Sequence, residues 1–204
     1  MTKRRAPITA AELTAKLQAN PDFLARQKER EQAFAERVAR NRAEEAPLLL
    51  ELRSVGLEIQ ALSDLVNTSA KYDVAIPILL RHLLLPYSDS MREFIARSLA
   101  VPEARQAWPT LIAEYRKASM GVGDNGFRLG AKDGLACALS ATATEAVMDD
   151  LVALAKDRTN GSSRLLLLSA LKKSKSSIAK QALEELASDP DLKKEIASWH
   201  RGKR

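Results

Sequence analysis

The chain has 204 residues, a net charge of +6, an apolar share of 46% and a single cysteine, Cys137. That length and apolar share can bury a sizeable core, and one cysteine excludes an internal disulfide and fits a reducing compartment. The longest apolar runs, such as Leu165 to Leu168, fall far short of the ~20 residues that span a bilayer.

Leu and Ala dominate the apolar fraction, while aromatic residues make up only 4% of the chain. Leu and Ala form helices well, and β-branched and aromatic residues are the strand formers, so the composition predicts an all-α fold. The basic opening Met1 to Pro7 runs into no apolar segment, so no leader is expected and the expected location is cytoplasmic. Positive charge is concentrated in residues 1–45 and 161–204, with a slightly acidic middle. Basic ends of this kind suit solubility, nucleic acid or an acidic partner.

In chain order, Thr9-Ala10-Ala11-Glu12 reads as a capping box that opens a short helix to about Ala19. Asn20-Pro21 ends it and starts a second, with Asn20 as the cap and Pro21 in the first helical position. This second helix, about 22 to 45, is dense in charge and carries only a thin apolar stripe of Phe23, Leu24, Phe34 and Val38. Such a helix packs weakly, projects or pairs with a partner. From Pro47 a dense apolar pattern begins. The chain therefore divides into a charged helical extension, 1–45, and a second domain, 46–204.

Within the second domain three helix–turn–helix segments can be stacked. Ala75 to Arg81 precedes a turn at Pro86 to Asp89 and a helix from Met91. Trp108 to Tyr115 precedes a turn at Gly121 to Gly126 and a helix from Phe127. Val147 to Leu154 precedes a turn at Arg158 to Gly161 and a helix from Ser163. A shorter fourth unit pairs Ala179 to Leu186 with Leu192 to Trp199 across Asp189-Pro190. Arg92, Arg128 and Arg164 recur every 36 residues, preceded by Asp89, Asp124 and Asn160.

This pattern resembles the HEAT repeat family over roughly residues 46–200. In that family a helix pair of about 40 residues repeats, an Asp sits in the turn, and an Arg or Lys opens the second helix. The resemblance implies an armadillo-like α-solenoid, a right-handed superhelix of helix pairs, in which Asp89, Arg92, Asp124, Arg128, Asn160 and Arg164 are structural repeat positions. Aligned acids and arginines can then join successive turns by charge-assisted hydrogen bonds.

Catalytic constellations are sparse. Gly121-Val-Gly123-Asp-Asn-Gly126 follows a helical pattern rather than a strand, so it reads as an inter-helix turn and not as a dinucleotide site. His82, His200 and Cys137 are too scattered for a zinc site. Cys137 reads as a small core residue, and His82 as a polar-edge or capped residue. Neither a cofactor nor a metal is expected, nor an enzyme.

The reading is a macromolecule-binding scaffold whose partner is a protein, with no membrane role. An alternative is a DNA- or RNA-binding protein using the basic surface, with Lys172, Lys173, Lys175 and Lys180 on phosphates. A more remote alternative is a HEAT-like DNA glycosylase, for which only Trp108 and Trp199 are available as aromatic walls.

Overall fold

The computed structural model describes residues 8–121 and 130–201, and among them it contains eleven α-helices and no strand. The protein is all-α. No helix among the described residues is long and apolar enough to cross a membrane. The chain forms two compact units, Met1–Ala43 and Glu44–Arg204.

In the first unit, α1 (Ala10–Gln18) opens with a capping box. Thr9 Oγ1 accepts from the Glu12 amide at 3.3 Å, and the Glu12 carboxylate accepts from the Thr9 amide at 3.0 Å. Asn20 Oδ1 accepts from the amides of Asp22 and Phe23 and so caps α2 (Pro21–Ser54). No described residue of this unit is buried. Phe34 and Leu24 are exposed, and the Arg37 guanidinium lies over the Phe34 ring.

The sequence reading ends α2 near residue 45, but the helix continues through Pro47 to Ser54. Proline removes one helical donor. The carbonyl that loses its partner belongs to Ala43, which is exposed and can turn to water. The burial of Leu48, Leu49 and Leu52 in the next turn supplies the compensating energy.

In the second unit the last turns of α2 lead to α3 (Leu62–Val66), α4 (Ile76–Leu83), α5 (Asp89–Ser98), α6 (Trp108–Lys117), α7 (Ala131–Thr142), α8 (Met148–Lys156), α9 (Arg164–Lys173), α10 (Ser177–Leu186) and α11 (Lys193–Arg201). Three carboxylates bind α2 to its neighbours. Glu44 accepts from the Ser88 hydroxyl, Glu45 from the Leu62 amide, and Glu51 from Arg81. Short 3-10 turns lead into α4, α6 and α8. Pro77 and Pro109 sit at the start of α4 and α6, where a missing N–H costs nothing.

Helices α4 and α5, α6 and α7, and α8 and α9 pack as consecutive pairs. The second helices also pack on one another in chain order: α3 on α5, α5 on α7, and α7 on α9. Helix α10 closes onto α8 and α9. Leu79, Ile95, Leu111, Leu135, Leu151 and Leu168 run through these contacts with no exposure to solvent. Each such side chain contributes about 1.5–3 kcal/mol by leaving water.

Helix α7 is the most enclosed. Its only partly exposed residues are Cys137, Ser140 and Ala141. It approaches α5 so closely that a Cβ on Gly134 would lie 2.5 Å from the Glu93 carbonyl oxygen. Backbone cannot yield as a flexible side chain does. Gly134→Ala should therefore lower the thermal midpoint, by about 1–3 kcal/mol of stability. Helix propensity alone predicts a gain of about 1 kcal/mol, so a raised midpoint in a melting experiment would contradict the close packing.

Candidate functional site

Charged side chains are gathered where the helix pairs turn. Asp89, the first residue of α5, accepts from the Ala131 amide at 3.1 Å, so the first pair caps the second helix of the next. Glu93 and Asp133 lie near the same helix end, and burial raises both carboxyls above their usual range. Arg97 moderates this: its Nε donates to Glu93 Oε1 at 2.8 Å, and its Nη1 lies 3.5 Å from Cys137 Sγ. Burial pushes the half-buried Cys137 thiol up, which keeps it a weak nucleophile.

The next contacts join α5 to α6 and α6 to α7. Arg92 Nη2 donates to Glu114 Oε2 at 2.7 Å, and Glu114 Oε1 also accepts from Lys117. Lys132 is buried, and its Nζ donates to the carbonyls of Tyr115 and Ala118 at 3.3 and 3.0 Å. It therefore satisfies the last carbonyls of α6 while lying 4.6 Å from the centre of the Tyr115 ring. Desolvation pulls the Lys132 ammonium below its usual range. Burial also raises the Tyr115 phenol to about 12, and its hydroxyl pairs with Ser163 Oγ at 2.7 Å.

Arg164 does the same work one pair later and has no exposed surface. Its Nη1 donates to the Ala155 carbonyl at 3.4 Å and its Nε to the Gly161 carbonyl at 3.1 Å. Gly161 can offer that carbonyl because it adopts a φ of 56°, which disfavours any side chain. The guanidinium then spans to the turn between α10 and α11. Nη1 and Nη2 meet the two Asp189 oxygens at 3.1 and 3.4 Å, and Nη2 also meets Asp191 at 3.0 Å. The hydrogen bond from Arg164 holds the Asp189 carboxyl down to about 2. Asn160 is buried and donates to the Leu154 carbonyl at 3.0 Å.

The structure thus places Asp89, Arg92, Asn160 and Arg164 in internal contacts. Asp124 and Arg128 lie outside the described residues, as does most of the glycine-rich turn. The even arginine spacing does not mark one shared helix position. Arg92 is the fourth residue of α5, whereas Arg164 opens α9. Lys132, absent from the sequence pattern, is the counterpart of Arg164. A lysine two residues after Gly130 at the opening of a helix was the available signal.

The remaining candidates are dispersed. Lys172, Lys173, Lys175 and Lys180 are exposed. Lys172 lies over the Trp199 ring at 4.4 Å. Trp108 is buried in the core. His82 is buried, with Nδ1 at 2.9 Å from the Tyr87 hydroxyl and Nε2 at 3.1 Å from Glu51 Oε1. Among the described residues no group of three or more His, Cys, Asp or Glu side chains is placed to hold a metal ion.

Compared with known protein families, curated proteins and solved structures, the chain matches none.

Arg164→Ala should cost about 3–5 kcal/mol in chemical denaturation, because it breaks a buried pair. Arg158 also reaches Asp189, at 3.2 Å, but its side chain is 71% exposed. Arg158→Ala should cost less than about 1 kcal/mol. Equal losses would contradict the ranking. The acid limb gives a second check. The folded Asp189 carboxyl titrates below its ordinary value of 3.8. Its contribution is therefore complete above about pH 4 and is lost as the pH falls through about 2. The drop in stability over that window should shrink in Arg164→Ala.

Proposed function

We propose that residues 44–201 form a HEAT-like, right-handed α-solenoid and that the protein is a non-catalytic scaffold that binds another protein. The observation that carries this reading is the successive packing of α3, α5, α7 and α9, joined by charged residues whose partners lie within the fold. A helix pair cannot bury its apolar face alone, whereas stacked pairs make a continuous core and an extended surface for recognition.

The charged residues at the turns support a structural role. Arg164, Lys132, Asp89 and Arg92 each spend their hydrogen bonds on the neighbouring pair or turn. The open side of the second helices remains available to a partner. Phe94 and Leu165 are exposed there, and Ser140 of α7 bonds to Ser169 of α9 at 2.6 Å.

Nucleic-acid binding is the second reading, favoured by the exposed Lys172, Lys173, Lys175 and Lys180. Aromatic platforms for unpaired bases are scarce: Trp108 is buried, and Lys172 already covers Trp199.

Affinity capture of the tagged protein, with and without nuclease, separates the two by mass spectrometry. The scaffold reading expects a stoichiometric protein partner that survives nuclease. Recovery of nucleic acid alone, with affinity falling steeply as salt rises, would overturn it.

A further inference from the structure

At one end of α7 and α9 a groove of about 370 Å³ opens to solvent. Ala141, Ala143, Met148 and Ala170 give it an apolar floor, while Ser140, Thr144, Lys173 and Ser174 supply polar groups. Its volume can take one or two medium-sized apolar side chains.

The charges around the groove differ in availability. Glu145 lines it but is already engaged. Its carboxylate accepts from Ser174 Oγ at 2.9 and 3.0 Å and from the Lys175 amide at 3.2 Å. That bonding ties the α9–α10 connection to the start of α8. Among the described residues, neither Lys173 nor Lys175 forms an ion pair, and both are exposed. Lys172, next in sequence, is held against Trp199. The groove therefore offers apolar room beside Lys173, with Lys175 two residues further along the chain, and its one acid is held by the Ser174 hydroxyl and the Lys175 amide.

We propose that this groove seats an acidic peptide segment of a partner protein. An apolar side chain of the segment fills the floor around Ala141 and Met148, and its carboxylates pair with Lys173 and Lys175. Small floor residues let the peptide backbone come close, and the free ammonium groups select for negative charge. A nucleic acid would use the same cations but has no use for an apolar floor, and no exposed aromatic lines the groove. The proposal rests on the scaffold reading and names the partner's chemistry.

The test is fluorescence anisotropy of the full chain with an array of labelled 15-residue peptides of graded Asp/Glu content, each with or without a central Leu or Ile. Acidic peptides carrying the apolar residue should bind. Their affinity should fall at least tenfold in Lys173→Glu and in Ala141→Trp, which fills the groove, and stay within twofold in Lys16→Glu, an exposed position on α1 that does not line the groove. Circular dichroism and melting confirm that each variant is folded. Should Ala141→Trp be unfolded, Ser140→Arg takes its place at the rim. If none of the peptides binds, the proposal fails. It also fails if oligo-glutamate binds as well as the apolar-anchored peptides, or if Lys16→Glu weakens binding as much as Lys173→Glu. The same variants used in affinity capture separate the two levels. A partner retained by both groove variants overturns the groove and leaves the scaffold standing, whereas the absence of any protein partner overturns both.

Discussion

A fully buried arginine is the constraint on which the end of the second unit depends. Arg164 has left water entirely, and a buried charge is costly unless each of its donors is used. The fold meets that demand in three directions: the end of α8, the turn before α9, and the acids of the following turn. This arrangement fixes where α9 begins, how the turn at Gly161 is shaped and where the turn between α10 and α11 attaches. Lys132 repeats the solution one pair earlier, at the end of α6. The charged groups here join one helix pair to the next, and Leu and Ala fill the space between.

That division of labour accounts for the perturbed ionisation of the buried polar residues. Burial raises Glu93 and Asp133 where α5 meets the start of α7, and Arg97 balances them. Tyr115 is raised because it lies in the core. Each shift follows from the packing of one helix on the next.

Much of the helical order was legible in the sequence, since it depends on local signals. The Thr9 box, the Asn20 cap and the apolar spacing that separates α4 from α5 and α8 from α9 act within a few residues. The continuation of α2 through Pro47 was not legible. It depends on what Leu48 and Leu52 bury against, and on the exposure of the carbonyl that the proline strands. The roles of Lys132 and Asp89 were hidden for the same reason: their partners, Ala118 and Ala131, are 14 and 42 residues away. The spacing of Arg92 and Arg164 did not mark equivalent positions, because the connections before α5 and α9 differ in length.

Amide hydrogen exchange on Arg164→Ala against the unaltered protein tests the central claim most directly. In an array whose pairs touch only their neighbours, stability is a sum of local terms, and loss of one junction frees what lies beyond it. Protection should fall chiefly in α10 and α11, with α4 and α5 close to their original rates. An equal loss across α4 to α11, or no loss in α10 and α11, would contradict an account in which buried charges join the pairs one to the next.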